Sequence, residues 1–177
     1  MNFERTNIPG VYVIKHTVHC DERGSFVNLI RISDSIYTKV LGNQSIRQVN
    51  ISSSNLAGTV RGIHLQSGLS SESKIVTCIA GSVFDVAVDL RRGSSTYGEH
   101  FSILLEKDIS CSLLIPKGVG HGFQSLQDHS EILYLHYGEY NSQKEAGVNI
   151  KDPILQIPWP MPITNISVKD QSLPFFV

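Results

Sequence analysis

The stretch that decides the fold runs from Lys74 to Leu90 and reads Lys74-Ile75-Val76-Thr77-Cys78-Ile79-Ala80-Gly81-Ser82-Val83-Phe84-Asp85-Val86-Ala87-Val88-Asp89-Leu90. Two runs rich in β-branched and apolar residues flank the dipeptide Gly81-Ser82, which is typical of a tight turn. The pattern therefore predicts two strands, 74–80 and 83–90, joined as a β-hairpin.

Similar alternating segments lie on both sides of this stretch. They predict strands over 10–14, 25–31, 47–52, 59–66, 101–105, 110–115 and 131–137. One short helix is predicted over 33–41, and the proline-rich chain after Tyr140 is expected to be irregular. At least eight short strands with regular turns indicate a sandwich or barrel rather than βαβ units.

The composition agrees with an all-β protein and limits its function. The chain has 177 residues with 19 Ile and 15 Val but only 4 Ala, which favours strands over helices. We expect one domain, residues 1–177. A formal net charge of −1 argues against a general binder of nucleic acids or membrane surfaces, and no apolar run is long enough to span a bilayer. The three cysteines have no metal-type spacing, so we expect reduced thiols and a cytoplasmic location.

Two histidines have informative neighbours, although a lone histidine is more often structural than functional. His64 follows Arg61-Gly62 on a predicted strand, where the glycine allows close approach to the backbone. His121 lies at the start of another strand, after a turn containing Pro116 and Gly118. A cupin-type metal site would need His-x-His, but His64 is followed by Leu65 and Gln66, so we expect no metal.

Without a metal, the ionisable side chains favour proton-transfer chemistry. His64 can remove a proton near neutral pH, and a carboxylate can fix its tautomer. Arg61 and Lys74 could hold a phosphate or a developing oxyanion. Tyr134 offers a phenol as an acid, with a buried core tyrosine as the equal alternative. These residues alone do not identify the substrate.

Several ordered motifs resemble the dTDP-4-dehydrorhamnose 3,5-epimerase family over nearly the whole chain. They are Asp21-Glu22-Arg23-Gly24-Ser25-Phe26, Val60-Arg61-Gly62-Ile63-His64-Leu65-Gln66, the stretch 83–94, Ile115-Pro116-Lys117-Gly118-Val119-Gly120-His121-Gly122-Phe123, Asp152-Pro153, Ile157-Pro158-Trp159-Pro160 and Ser167-Val168-Lys169-Asp170. The resemblance implies a cupin double-stranded β-helix (a jelly-roll barrel with short helices). It also implies a homodimer without metal or cofactor that acts on nucleotide diphosphate-linked 4-keto-6-deoxy sugars.

The resemblance also implies roles for individual residues. His64 matches the base that removes a proton beside the ketone, Asp170 its carboxylate partner, and Tyr134 the acid on the opposite face. Lys74 matches a lysine beside the keto oxygen. The matching substrate-binding positions are Arg23, Phe26, Asn28, Gln48, Asn50, Arg61, His121, Tyr140, Glu145 and Lys169, with Tyr140 stacking on the nucleotide base and the arginines suited to the diphosphate.

Some positions depart from the family pattern. Asn28 stands where the family usually has Glu, Leu65 and Glu139 stand where it usually has Tyr, and Ile150-Lys151-Asp152-Pro153 replaces Trp-Asn-Asp-Pro. Because the Asn28 amide can both donate and accept, we hypothesise that the base is cytosine rather than thymine.

The predicted function is therefore epimerisation of a nucleotide-linked 4-keto-6-deoxyhexose at C3, at C5 or at both, through an enolate. Such an enzyme would serve deoxysugar synthesis for surface polysaccharides such as O-antigen, or for glycosides. The alternatives are a nucleotide-sugar keto-isomerase and a non-catalytic cupin that binds a sugar nucleotide.

Overall fold

The computed structural model describes residues 2–31, 33, 35–42, 44–107 and 111–176. Within them, the strands are β1 (Asn2–Arg5), β2 (Tyr12–Lys15), β3 (Val18–Asp21), β4 (Gly24–Val27), β5 (Gln48–Ser54), β6 (Val60–Gln66), β7 (Lys74–Ala80), β8 (Ser82–Asp89), β9 (His100–Glu106), β10 (Cys111–Ile115), β11 (Val119–Ser125), β12 (Ser130–His136) and β13 (Glu145–Gly147). The helices are α1 (Ser35–Leu41) and α2 (Val168–Gln171), with 3₁₀ turns at Gly68–Ser70 and Ser142–Lys144.

The strands form two main antiparallel sheets and one separate hairpin. The six-stranded sheet has the order β1-β2-β10-β7-β12-β5, and the five-stranded sheet has the order β13-β6-β11-β8-β9. Strands β3 and β4 form the hairpin. The two main sheets pack face to face as a jelly roll, which confirms the predicted all-β cupin fold.

The predicted hairpin over 74–90 is wrong, although both of its strands exist. β7 pairs with β10 and β12, whereas β8 pairs with β11 and β9, so the two strands lie in different sheets. Gly81 has a φ of 69°, and a Cβ there would come within 2.5 Å of Ser130 Oγ. The Ser82 N–H donates to the same Oγ at 3.2 Å. The dipeptide is therefore a corner between facing sheets, where each strand already has two neighbours.

The main core lies between the two sheets. It contains Val13, Val76, Cys78, Leu113, Ile115 and Ile132 from the six-stranded sheet and Val83, Ala87, Leu105, Val119 and Phe123 from the five-stranded sheet. These residues alternate along each strand, as one face of a pleated strand requires. Burial of this shared face fixes the register of both sheets.

The outer faces of both sheets are also covered. Helix α1 packs Tyr37 and Leu41 against the six-stranded sheet. The irregular chain after 147 packs Ile150 and Leu155 against Ile63 of the five-stranded sheet. Helix α1 and the irregular tail therefore cover the outer faces of the two sheets. The candidate site lies instead between the sheets, where polar side chains face inward at one end of the sandwich.

Two smaller expectations need correction or restriction. The strand predicted over 25–31 is shorter, because β4 ends at Val27 and pairs only with β3. The strand predicted from Ser110 is observed from Cys111, since Ser110 lies outside the described residues. Neither described helix has the length and apolar character to cross a bilayer.

Candidate active site

Strand register gathers one wall of the site on the inner face of the six-stranded sheet. Tyr134 of β12 lies opposite Asn50 of β5. His136, two residues further along β12, lies opposite Gln48 of β5 and Lys74 of β7. Residues two apart on a strand share a face, so these polar groups project together.

The facing wall comes from the five-stranded sheet, where His64 of β6 lies opposite His121 of β11. Between the walls is an open cavity of about 680 Å³. Among the residues that line it are the predicted site residues His64, Lys74, Tyr134, Gln48, Asn50, Arg61, His121, Tyr140, Glu145 and Lys169. The structure thus gathers most of the set that the resemblance implied.

His64 forms a close pair with Asp170. Its Nε2 lies 2.7 Å from Asp170 Oδ1, and the His64 side chain is 42% exposed whereas that of Asp170 is 5% exposed. Burial alone would raise the pKa of Asp170, but hydrogen bonds from His64 and the Gly62 N–H hold it below its usual value. An ionised Asp170 accepts the Nε2 proton, which leaves Nδ1 as the basic atom of the neutral ring.

Gly62 is needed for this arrangement. It has a φ of 122°, and a Cβ there would come within 2.5 Å of the Gly122 Cα on β11. Its N–H donates to Asp170 Oδ2 at 3.3 Å. The expectation that this glycine allows a close approach to the backbone is therefore confirmed.

Tyr134 faces the cavity from the other sheet, among aromatic rings. Its ring stacks on His136 at 5.7 Å between centroids and meets His121 edge to face at 5.8 Å. Burial raises the pKa of the Tyr134 phenol, the charge of Asp85 raises it further, and Arg61 lowers it only in part. The phenol is therefore kept protonated, as a proton donor must be.

Lys74 is a buried cation on the same wall as Tyr134. Its Nζ lies 3.7 Å from Glu72 Oε1, and its side chain is 9% exposed. Burial lowers the pKa of Lys74, and the nearby Glu72 and Asp85 carboxylates offset only part of that effect. A cation with so little water around it interacts strongly with any negative charge that forms in the cavity.

His121 pairs with a second buried carboxylate. Its Nε2 lies 2.8 Å from Asp85 Oδ2, and the side chains are 5% and 0% exposed. Both residues project from the five-stranded sheet toward the core, so the pair orients the His121 ring where it lines the cavity. Burial removes His121 from the solvent access that His64 has.

The rim of the cavity carries an exposed polar group of three residues. The Tyr140 hydroxyl donates to Glu145 Oε1 at 3.0 Å, and Lys169 Nζ donates to Glu145 Oε2. The Lys169 ammonium and this hydroxyl hold the pKa of Glu145 below its usual value. Tyr140 as a whole residue is 56% exposed and presents an open aromatic surface.

Three predicted substrate-binding residues are not brought to this cavity. Arg23 and Phe26 lie on or beside the β3–β4 hairpin, and Asn28 follows it. All three are exposed, the Arg23 guanidinium binds the Asp21 carboxylate, and none is among the residues that line the cavity. Their assignment to the substrate stays a prediction.

Sequence reasoning missed Glu72, His136 and Asp85. Glu72 and His136 line the cavity, and Asp85 lies behind His121. Period-two spacing could have found the first two, because Glu72 precedes Lys74 by two residues and His136 follows Tyr134 by two. Asp85 lay inside an apolar run, where a lone carboxylate already indicates a special role.

The described residues contain no group of three or more His, Cys, Asp or Glu side chains that could hold a metal ion. Instead, His64, His121 and His136 each pair with a different carboxylate. The expectation of a metal-free site stays a prediction.

Known proteins with this architecture decide the family. The family described as dTDP-4-dehydrorhamnose 3,5-epimerase matches residues 5–177. The dTDP-4-dehydrorhamnose 3,5-epimerase of Mycobacterium tuberculosis is 38% identical over 99% of this chain and 88% of its own. This chain belongs to the dTDP-4-dehydrorhamnose 3,5-epimerase family.

Other similar proteins include a 3-epimerase, named for one carbon, and a 3,5-epimerase, named for two. The dTDP-4-dehydrorhamnose 3-epimerase of Streptomyces niveus is 36% identical over 97% of this chain and 82% of its own. The solved structure of a 3,5-epimerase from Legionella pneumophila in complex with dTDP-4-keto-L-rhamnose has a TM-score of 0.90 and 34% identity, covering 98% of this chain and 92% of that one. The predicted family and isomerase class are confirmed.

Proposed function

We propose that this chain inverts C3, C5 or both in a thymidine diphosphate-linked 4-keto-6-deoxyhexose, with His64 as base and Tyr134 as acid. The carrying observation is that these two residues project from facing sheets into one cavity. Inversion beside a ketone requires a proton to leave one face of the carbon and another to arrive on the opposite face. Groups on opposite walls can do both without the intermediate turning over.

In the first step, His64 Nδ1 takes the proton from the carbon beside the ketone. The C–H electron pair forms the enolate, and the negative charge moves to the keto oxygen. Asp170 stabilises the resulting imidazolium through the 2.7 Å hydrogen bond to Nε2. Lys74, buried and cationic on the facing wall, is suited to stabilise the enolate oxygen.

In the second step, the Tyr134 hydroxyl gives its proton to the same carbon from the other face. The raised pKa of this phenol supports an acid that is protonated when the enolate forms. Proton exchange with solvent then restores the neutral imidazole and the phenol. The reaction needs no net oxidant or reductant.

The nucleotide is proposed to be thymidine diphosphate. The Legionella relative was solved with a thymidine diphosphate sugar, and Tyr140 offers an exposed ring on which a pyrimidine can stack. The cytosine hypothesis rested on Asn28, which does not line the cavity of its own chain. It stays a prediction that the substrate comparison below can decide.

A homodimer is the proposed assembly. The β3–β4 hairpin exposes 67% of Phe26, and the edge strand β5 exposes Val49 and Ile51 by 58% and 61%. Exposed apolar side chains on an edge strand favour pairing with another chain. In such a dimer, the hairpin could place Arg23, Phe26 and Asn28 at the partner's cavity, which supports their assignment. Sedimentation velocity would show a dimer at micromolar concentration; a monomer would contradict this.

The decisive experiment uses thymidine and cytidine diphosphate-linked 4-keto-6-deoxyglucose in deuterated water. We expect deuterium at C3, at C5 or at both, with inversion, and faster exchange of the thymidine compound. Exchange at neither carbon would contradict the function, and faster exchange of the cytidine compound would instead support cytosine.

Activity should also survive removal of metal ions. We expect unchanged rates after prolonged treatment with a chelator and dialysis into chelator-free buffer, since the part of the chain that the structure describes has no group of three or more metal-ligating side chains. A loss that one divalent ion restores would contradict the metal-free mechanism.

The alternatives receive less support. The similar proteins named above are epimerases rather than keto-isomerases or binding proteins. A single domain of 177 residues, a cytoplasmic location and a role in O-antigen synthesis remain parts of the proposal.

A further inference from the structure

The cavity contains a carboxylate–imidazole pair that the proposed mechanism does not use. His136 Nδ1 lies 2.9 Å from Glu72 Oε1, and the two side chains are 13% and 6% exposed. Glu72 also lies 3.7 Å from the Lys74 ammonium. A pair so well buried, at the wall that carries Tyr134, has a defined orientation.

The chemistry of this pair fixes the tautomer of His136. An ionised carboxylate has no proton to donate, so Nδ1 of the imidazole must be the donor to Glu72. In the neutral ring the lone pair is then on Nε2. Glu72 therefore makes Nε2 of His136 an acceptor.

This acceptor sets the orientation of two amides on β5. Asn50 Nδ2 lies 3.4 Å from His136 Nε2 and must donate to it, so Asn50 Oδ1 is turned toward Gln48. Gln48 Nε2 donates to that oxygen at 3.0 Å. We infer that the Gln48 carbonyl oxygen and second N–H serve a ligand in the cavity that Gln48 lines. One buried carboxylate thus determines the donor and acceptor pattern of two cavity-lining residues.

The same imidazole also supports the proposed acid. The His136 ring stacks on the Tyr134 ring at 5.7 Å with 22° between the planes. Rotation of His136 away from Glu72 would remove that surface as well as the acceptor for Asn50. Positions of groups that touch substrate depend on such supporting contacts.

We propose that Glu72 and His136 are positioning residues that hold the Gln48–Asn50 pair and the Tyr134 ring in the orientation that recognises the sugar nucleotide. The identity of the ligand rests on the proposed function, but the sequence of donors and acceptors from Glu72 through His136 and Asn50 to Gln48 does not. It predicts that the carboxylate, rather than the volume, of Glu72 determines binding.

The test is Glu72→Gln, which keeps the shape but allows the side chain either to donate to or to accept from Nδ1. In ¹⁵N-labelled free protein, the nitrogen shifts of His136 should show the Nδ1–H tautomer, and Glu72→Gln should lose that preference. The nitrogen resonances that disappear in His136→Gln are those of His136.

In Glu72→Gln, the KM for the nucleotide sugar should rise about tenfold, with a smaller change in kcat. Glu131→Gln, on the same strand as His136 but hydrogen-bonded to Ser53 outside the cavity lining, is the matched control and should change neither quantity.

An Nε2–H tautomer in the unaltered protein, or equal shifts and KM in Glu72→Gln, would overturn the proposal. The tautomer of the unaltered protein decides this even if Glu72→Gln does not fold. The tautomer measurement uses no substrate, so its result does not depend on the proposed function. If the proposed function were wrong, the unaltered protein would show no deuterium exchange into the sugar.

Discussion

The wall from the five-stranded sheet carries His64, whose side chain is 42% exposed and is backed by the buried carboxylate of Asp170. The wall from the six-stranded sheet carries Tyr134, which lies among aromatic rings beside the buried cation Lys74. The first environment favours a group that gains positive charge, and the second favours a group that stays neutral until it gives up its proton. This difference supports the proposal of a base on one wall and an acid on the other.

Removal of the base should have the largest effect. His64→Ala is expected to reduce both inversion and deuterium exchange by about 10³- to 10⁴-fold, because the imidazoles of His121 and His136, which also line the cavity, are only 5% and 13% exposed. Added imidazole should restore part of the rate. Both rates are measured by NMR on the thymidine diphosphate-linked keto sugar.

His100→Ala is the control, since His100 lies on β9 and does not line the cavity. It should retain the full rate. If His64→Ala retained substantial exchange, a group other than His64 would have to be the base and the comparison between walls would fail.

Loss of the buried positive charge of Lys74 should have the next largest effect. Because the pKa of Lys74 is lowered from 10.5, its charge should be lost as the pH rises, and kcat/KM should fall at a pH below the usual pKa of lysine. Tyr134 cannot cause this loss, since its pKa is raised. Lys74→Met should lower kcat/KM by about 10²-fold and abolish the alkaline decline. If kcat/KM of Lys74→Met still declined at alkaline pH as in the unaltered protein, the proposal that Lys74 stabilises the enolate would be contradicted.

Much of the fold was predictable from the sequence, because alternation located most strands and the short helix. What alternation could not determine was the partner of each strand. The turn at Gly81-Ser82 has the composition of a hairpin, but Ser130 packs against it and the chain crosses to the other sheet. Long-range packing of this kind is absent from local sequence.

The site was predictable mainly through the resemblance. The position-by-position match to the family assigned roles to His64 and Tyr134, which no residue spacing in the sequence would have joined. Glu72 and His136 were missed because neither was matched to a functional position of the family, and their pairing across 64 positions depends on strand register. Arg23 and Phe26 matched the family pattern yet do not line the cavity of their own chain, and it is the proposed dimer that would bring them to a partner's cavity.

Two tyrosines allow one chemical change to be compared at two places. Tyr134→Phe removes the proposed acid and should reduce inversion by about 10²-fold. Because His64 is intact, solvent deuterium should still enter the substrate with retained configuration. NMR of the recovered substrate separates the two outcomes, and equal loss of exchange and inversion would mean that Tyr134 acts before the enolate forms.

Tyr140→Phe should have the smallest effect. The Tyr140 hydroxyl lies on the rim and donates to Glu145. The residue is 56% exposed, and its ring is the part proposed to stack on the nucleotide base. Glu145 keeps Lys169 as a partner when the hydroxyl is removed. We therefore expect Tyr140→Phe to change the Kd for thymidine diphosphate less than about twofold, whereas Tyr140→Ala should weaken binding about tenfold through loss of stacking. Calorimetric titration measures both variants. If both variants weakened thymidine diphosphate binding equally, the contribution of Tyr140 to binding would come from its hydroxyl rather than from its ring. Tyr140 would then not act as a stacking surface, and its contrast with the proposed acid Tyr134 would fail.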